Sequence, residues 1–139
     1  MATTRNATAH WEGSLLEGSG HVQLVSSAVG GFDVTWASRA ESPEGRTSPE
    51  ELIAAAHAAC FSMALSSTLA KAGTPPRSLD TSVEVDFQPG QGITGIRISV
   101  SGDVPGLDAA GFDSAAQGAK ENCPVSKALA AVPISLSVR

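Results

Sequence analysis

Residues 47–65, TSPEELIAAAHAACFSMAL, decide the fold of this chain. Ser48 is a preferred N-cap residue, and Glu51, three positions later, completes a capping box. Pro49 suits the first helical position, where its missing N–H costs no hydrogen bond. Apolar and small residues continue to Ala72, and the glycine that follows favours a left-handed cap. The sequence therefore predicts one long helix from Pro49 to Ala72.

The surroundings of this helix follow from its composition. From Leu52 to Leu69 it carries no charge apart from a possible one on His57, and small or apolar residues cover every face, which is typical of a helix enclosed by protein. It is long enough to span a membrane, but its alanines and hydroxyl residues make it weakly lipophilic, so we expect no membrane insertion. The alanines at 54–56 allow a second backbone to approach closely. We expect the helix to pack on its own copy in a two-fold dimer; the alternative is that another helix of the chain covers it.

Length and charge restrict the class of protein. A chain of 139 residues is expected to form a single domain, residues 1–139, with a core of its own. Its net charge of −5 and the lack of a Lys/Arg cluster argue against nucleic acid or an anionic membrane as partner. The N-terminus has no apolar signal core, so we expect a cytoplasmic protein, in which a structural disulfide would be unusual. The two cysteines, Cys60 and Cys123, therefore require a chemical explanation.

The rest of the chain has the pattern of short strands and helices. Alternating apolar residues predict strands at residues 6–11, 21–27, 32–36, 81–87, 96–100 and 134–138. Helices are predicted at 107–121 and 124–129, and residues 37–47 are predicted to form a loop. This order of elements indicates an α+β fold with mostly antiparallel sheet.

The two cysteines differ in their local setting. A cysteine inside a buried helix is most often a small apolar filler, and Cys60 lies beyond the reach of the helix dipole. Cys123 precedes Pro124 at a helix start, where free backbone N–H groups favour a thiolate and hence thiol–disulfide exchange. If Cys60 is a nucleophile, a cation must lower its pKa. Arg39, which is always charged, is the candidate.

Glu50 is the candidate partner of Arg39. It lies ten positions before Cys60, about 15 Å along a helix axis, so the two side chains cannot touch within one straight helix. Two antiparallel helices that cross near Ala55 would place Glu50 beside the partner's Cys60. We therefore hypothesise active sites shared across a dimer, with Glu50 holding Arg39. In the alternative interpretation, Glu50 only stabilises the helix N-terminus.

His57, one turn before Cys60, leaves three alternatives open. It could pair with Cys60 as in a cysteine hydrolase, or join Cys60 and Cys123 as a metal ligand. The simplest interpretation is a core or interface residue. His10 and His21 are expected at the surface of strands.

Several motifs together resemble the OsmC/Ohr family of thiol-dependent hydroperoxide reductases. The motifs are ATAHWEG at 7–13, TSPEEL at 47–52, AACFSMAL at 58–65 and ENCPVS at 121–126. The stretch WASR at 36–39 resembles the OsmC branch, whose arginine lies there. The resemblance covers nearly the whole chain. It implies an OsmC-like α+β fold in which two antiparallel sheets wrap around central long helices in an intertwined homodimer.

The resemblance also implies a mechanism. Cys60 would be the peroxidatic residue, which forms a sulfenic acid on reaction with a hydroperoxide, and Cys123 the resolving residue, which forms an intramolecular disulfide with it. An external dithiol, which the resemblance implies is of the dihydrolipoyl type, would restore both thiols without metal, haem or flavin. Arg39 would stabilise the thiolate and polarise the peroxide, and Glu50 would hold Arg39. The implied role is defence against oxidative or osmotic stress.

The residues near Cys60 suggest a substrate preference, and the cysteines also allow two competing functions. The apolar residues next to Cys60, including Phe61 and Met63, are expected to favour alkyl hydroperoxides over hydrogen peroxide. One competing interpretation is a redox switch or structural dimer whose cysteines do not turn over. The other is the cysteine hydrolase, in which Cys123 would be dispensable.

Overall fold

The computed structural model describes all 139 residues, and its contacts divide the chain into two compact units, Met1–Glu50 and Glu51–Arg139. Three strands, a long helix, two strands, a helix, a short helix and a strand follow one another in the predicted order. One further short helix precedes the long one. The α+β class is therefore confirmed.

The first unit holds an antiparallel meander. Its strands are β1 (Ala7–Glu12), β2 (Ser19–Leu24) and β3 (Gly31–Val34), and they lie in that order in one sheet. His10 on β1 lies directly opposite His21 on β2, and both side chains are exposed. The expectation of surface strand positions for these two histidines is confirmed.

The short helix α1 (Trp36–Ala40) corrects the prediction that residues 37–47 form a loop and that Trp36 ends a strand. It is fixed by a reciprocal capping box. Thr35 Oγ1 accepts a hydrogen bond from the Ser38 amide at 3.0 Å, and Ser38 Oγ accepts one from the Thr35 amide at 3.0 Å. Ser38 Oγ also donates to the Thr47 carbonyl oxygen at 2.9 Å, which ties the following loop to α1. Arg39 therefore lies on a helix.

The long helix α2 (Pro49–Lys71) begins where the sequence predicts and ends one residue earlier. Gly73 adopts a φ of +91°, and its amide donates to the Ala70 carbonyl oxygen at 3.0 Å. The Thr74 amide donates to the Leu69 carbonyl oxygen at 2.9 Å. These two bonds form a Schellman cap, which satisfies carbonyl groups that the last turn leaves free.

The second unit holds the other sheet. It contains β4 (Ser78–Gln88), β5 (Gly92–Asp103) and β6 (Ile134–Val138), in that order. The hairpin of β4 and β5 is antiparallel, but β6 pairs with β5 in parallel, so the prediction of two antiparallel sheets is wrong for this edge. A parallel pair needs a crossover, which α3 (Ala109–Asn122) and α4 (Pro124–Ala128) supply.

The core of the second unit lies between α2, β5 and α3. Phe61, Leu65 and Leu69 follow one another at four-residue intervals, so they share one face of α2 and are fully buried. The other buried apolar residues of this core are Ile96, Ile98 and Val100 on β5, Phe112, Ala116 and Ala119 on α3, and Cys123. This packing holds the middle of α2, and with it Cys60, against the segment that carries Cys123.

The opposite face of α2 is exposed within the chain. Ala55, Ala56 and Ala59 are exposed there, and Met63 has an exposed fraction of 72%. The alternative that another helix of the same chain covers α2 does not hold for this face, and its packing on a second copy stays a prediction. By its length and apolar composition α2 could also cross a membrane, but the core helices of other folded proteins are often as long and as apolar. Its relation to membranes stays a prediction too.

Candidate active site

The two thiols meet inside the second unit. The Sγ atoms of Cys60 and Cys123 lie 3.0 Å apart, and neither cysteine forms a disulfide. Cys60 projects from the middle of α2 and is half-buried, whereas Cys123 is completely buried. A disulfide bond measures about 2.05 Å, so a small approach of the two sulfur atoms would allow a bond. The sequence does not determine whether the two cysteines lie close together in the reduced protein. The structure shows that their sulfur atoms are in direct contact.

Pro124 explains why Cys123 faces α2. A proline cannot continue α3, because it has no amide hydrogen and its ring clashes with the preceding turn. The chain therefore leaves helical geometry at Cys123, with φ −57° and ψ 125°, and α4 begins at Pro124. Backbone amides at the start of α4 favour the thiolate form: the Val125 amide acts to lower the pKa of both thiols, and the Ser126 amide that of Cys123.

These contacts give the two thiols unequal acidity. Burial raises the pKa of Cys60, the hydrogen bond with Cys123 raises it further, and the Val125 amide acts in the opposite direction. Burial alone would also raise the pKa of Cys123. The hydrogen bond with Cys60, together with the amide and hydroxyl groups of Ser126 and the Val125 amide, outweighs burial and lowers the pKa of Cys123. No cation contributes to the pKa shift of Cys60, so the requirement for one at a nucleophilic Cys60 still holds.

His57 and Ser126 form a buried pair behind Cys123. His57 is completely buried, and its Nε2 lies 2.7 Å from Ser126 Oγ on α4. Burial lowers the pKa of His57, which favours the neutral imidazole. Sequence patterns do not single out Ser126, because it lies 69 positions from His57 and no local pattern links the two residues. The interpretation of His57 as a buried core residue is confirmed.

Arg39 and Glu50 form the expected ion pair in the first unit. Arg39 Nε lies 3.0 Å and 3.2 Å from the two carboxylate oxygens of Glu50, and Nη2 lies 2.8 Å from Oε1. The Glu50 side chain has an exposed fraction of 7%, and the Arg39 side chain of 32%. A buried carboxylate in this fork-like geometry fixes the direction of the guanidinium group. The catalytic roles of both residues stay predictions, as do those of the cysteines.

The geometry bears on two of the alternatives. His57 Nε2 is directed to Ser126 rather than to Cys60, so the nucleophile–base contact of a cysteine hydrolase is not formed. His57, Cys60 and Cys123 do not form a group that could hold a metal ion. What remains is a pair of free thiols in contact, and that arrangement defines a class: a small α+β protein suited to thiol–disulfide chemistry.

Comparison with known proteins narrows this class. Residues 42–137 match the family model described as OsmC-like protein. The chain is 44% identical over 134 residues to Peroxiredoxin OsmC of Escherichia coli, a similarity that covers 94% of this chain and 93% of that protein. A solved structure of an organic hydroperoxide resistance protein OsmC from Legionella pneumophila has a TM-score of 0.75 at 27% identity, covering 99% of this chain and 98% of that one. The solved structure of the organic hydroperoxide resistance protein OhrB of Bacillus subtilis has a TM-score of 0.74 at 26% identity, covering 99% of this chain and 98% of that one.

The chain therefore belongs to the OsmC family, as the sequence motifs predict. The curated relatives carry the name peroxiredoxin, and the similarity to them supports a peroxiredoxin-like peroxidase with a peroxide-related redox role. The match to the family model begins at residue 42, just after Arg39, whereas the similarity to the Escherichia coli protein covers nearly the whole chain.

Proposed function

We propose that this protein is a thiol peroxidase that reduces hydroperoxides with Cys60 and regenerates itself through a disulfide with Cys123. The observation that carries the proposal is the 3.0 Å contact between two free thiol sulfur atoms. A thiol oxidised at this position would have its resolving partner already in contact. The peroxiredoxin name of the relatives supports the same chemistry.

The proposed cycle has three steps. The Cys60 thiolate attacks the distal oxygen of the hydroperoxide, the O–O bond breaks, and the leaving alkoxide takes a proton to become an alcohol, while Cys60 becomes a sulfenic acid. The Cys123 thiolate then attacks the Cys60 sulfur, forming the S–S bond and releasing the hydroxyl group as water. A dithiol reduces the disulfide by two exchange reactions, which return both thiols and leave the reductant oxidised. We propose a dihydrolipoyl-type dithiol for this step.

Cys60 requires help to ionise in the first step, since burial raises the pKa of this thiol. We assign this help to Arg39, whose guanidinium would stabilise the thiolate and polarise the peroxide. Glu50 supports the assignment, because it holds the Arg39 side chain by two nitrogens and would limit its rotation. Such preorganised charge acts most strongly on the charge that develops during reaction.

A two-fold dimer is part of the proposal. The exposed face of α2 is built of alanines and Met63, and these residues would let a second copy of the helix approach closely. Glu50 and Cys60 are ten positions apart on the helix, about 15 Å along its axis. An antiparallel pairing of two copies of α2 would bring the Arg39–Glu50 pair of one protomer to the Cys60 of its partner. We therefore propose active sites shared between protomers.

The proposed substrates are organic hydroperoxides, with hydrogen peroxide reduced more slowly. The positions of Phe61 and Met63 do not support this preference for organic hydroperoxides, because Phe61 is buried in the core and Met63 is exposed. The preference rests instead on the names of two related structures, which are organic hydroperoxide resistance proteins.

The test is the consumption of cumene hydroperoxide and of hydrogen peroxide by the reduced protein, with dihydrolipoamide or with glutathione as reductant. We expect fast turnover of cumene hydroperoxide with the dithiol only, and none with Cys60→Ser. Cys123→Ser should turn over much more slowly than the wild type, because its sulfenic acid has no intramolecular partner and must react with the external thiol. Lack of turnover by the wild type with every combination would contradict the proposal and favour a redox switch or a structural role.

A further inference from the structure

One ring nitrogen of the buried His57 has no hydrogen-bond partner. Its Nε2 contacts Ser126 Oγ at 2.7 Å, but its Nδ1 is buried without a hydrogen-bond partner. A buried polar atom without a partner costs free energy that an apolar side chain of similar size would avoid. A role in packing alone therefore does not account for a histidine at this position.

Ser126 connects this imidazole to the thiols. It is the third residue after Cys123, and both its hydroxyl and its amide act to lower the pKa of Cys123. Ser126 is buried, and Cys123 contacts Cys60 at 3.0 Å. His57 and Cys60 are three residues apart on α2, as Cys123 and Ser126 are at the start of α4. The 2.7 Å and 3.0 Å contacts between these two segments therefore bring the Ser126 hydroxyl next to the imidazole and close to the Cys123 sulfur. A hydroxyl group can accept one proton while it donates its own, which is what a relay between two groups requires.

We infer that His57 and Ser126 form a proton relay that deprotonates Cys123 when this residue resolves the oxidised Cys60. The inference rests on the proposed function, because it concerns the second step of that cycle. Ser126 touches a reacting atom, whereas His57 is a positioning residue that acts through Ser126.

The relay moves two protons before the disulfide forms. The Cys123 S–H proton passes to Ser126 Oγ as the Ser126 O–H proton passes to His57 Nε2, which leaves an imidazolium and a Cys123 thiolate. The thiolate's electron pair forms the S–S bond, and the S–O bond of the Cys60 sulfenic acid breaks. The released hydroxide takes up one proton and becomes water, and the imidazolium gives its proton up. Oxidation of the two thiols is thus completed with no reagent beyond the peroxide of the first step.

The groups around the relay set its response to pH. Two titratable groups lie close to the relay: Cys60, one turn from His57 on α2, and Cys123 at the start of α4. Ser126 also lines a surface groove together with Lys120, Glu121 and Lys127, through which a proton can exchange with solvent. Because burial lowers the pKa of His57, the imidazole is neutral near pH 7 and able to accept a proton.

The first test follows one turnover of the reduced protein with one equivalent of cumene hydroperoxide. Formation of the Cys60 sulfenic acid and of the disulfide are followed separately by rapid quenching and mass spectrometry. We expect Ser126→Ala to slow disulfide formation by about tenfold or more at pH 7, a modest share of what general-base catalysis contributes, and to leave sulfenic acid formation unchanged. Ser62→Ala is the matched control, because Ser62 is also a partly buried hydroxyl, bonded to the Ala58 carbonyl oxygen and to Thr81.

The pH profile separates a relay from a structural role. Wild-type disulfide formation should be nearly independent of pH between about 6.5 and about 8.5, because neutral His57 accepts the proton throughout this range. In Ser126→Ala and His57→Asn the rate should rise with pH, since Cys123 must lose its proton to solvent. Variants that match the wild type, or that are slower by the same factor at every pH, would overturn the relay.

A second measurement is independent of the peroxide reaction. In the Cys60→Ser background, the ultraviolet absorbance of the thiolate reports the titration of Cys123 alone. Adding Ser126→Ala should move this titration to higher pH, because a group that stabilises the thiolate is lost. An unchanged titration would overturn the relay. Failure of the wild type to form a disulfide with peroxide would instead contradict the proposed function, and the titration would still decide the relay.

Discussion

Replacement of Glu50 by alanine should destabilise the first unit by about 2–3 kcal/mol. The substitution removes three short N–H···O contacts with Arg39 and leaves the guanidinium without its buried carboxylate. Breaking a fully buried ion pair costs roughly 3–5 kcal/mol. The Arg39 side chain keeps an exposed fraction of 32%, so solvent can take over part of the interaction and the lower figure applies.

The assay is urea denaturation, and the matched control is Glu84→Ala. Arg97 also binds two carboxylates, those of Glu84 and Asp86, but this cluster lies at the surface, where the Glu84 side chain has an exposed fraction of 69%. Arg97 would also keep Asp86 as a partner. We therefore expect a clearly smaller loss of stability for Glu84→Ala. Equal losses for the two variants would refute the argument that burial of Glu50 makes its ion pair the stronger one.

Three further predictions concern the core, the exposed helix face and a surface histidine. Leu65→Ala should cost about 3 kcal/mol in urea denaturation, because Leu65 is fully buried and the cavity would persist; a loss below about 1 kcal/mol would contradict this packing. Met63→Asp should reduce dimer formation in light scattering while circular dichroism stays unchanged; an unaffected dimer would argue against the proposed use of this face. The pKa of His21 is raised chiefly by its hydrogen bond with Asp33, so Asp33→Asn should lower it in an NMR titration. Its contribution to stability should be present below about pH 6.5 and be lost as pH rises through the elevated pKa; a titration that does not respond to Asp33→Asn would contradict this.

The parts of the fold that local chemistry determines were predictable from the sequence. The start of α2 follows from Pro49 with its neighbouring capping residues, and its end from Gly73, whose positive φ supports the cap. Helix α1 was missed although its signal was present. Thr35 and Ser38 have the spacing of a capping box, but the apolar alternation that runs from Phe32 to Trp36 favoured a strand.

Pairing between distant segments was not predictable in the same way. The alternation of Ile134, Leu136 and Val138 fixes which side chains share a face but not the direction of the neighbouring strand, so the parallel pairing of β6 with β5 became visible only in the structure. The exposure of one face of α2 was likewise not predictable from local sequence. The composition of the helix is apolar on all sides, and it does not specify whether the covering surface belongs to the same chain.

Some residues of the candidate site could be predicted from local sequence, whereas one is recognised only from the tertiary structure. Cys60, Cys123, Arg39 and Glu50 could be chosen from residue type and local setting, and the structure brings them together as one pair of thiols and one ion pair. Ser126 could not be chosen, because a serine in the first turn of a helix is unremarkable in sequence. Its importance depends on His57, which reaches it from another helix.

Disulfide formation between Cys60 and Cys123 is tested by a single addition of one equivalent of cumene hydroperoxide to the fully reduced protein, followed by peptide mapping under non-reducing conditions. We expect both thiols to be lost together and the peptides of Cys60 and Cys123 to be joined within one chain, because their sulfur atoms are in contact before the reaction. Two results would contradict it: retention of both thiols with the peroxide unconsumed, or oxidation of Cys60 alone while Cys123 remains a free thiol.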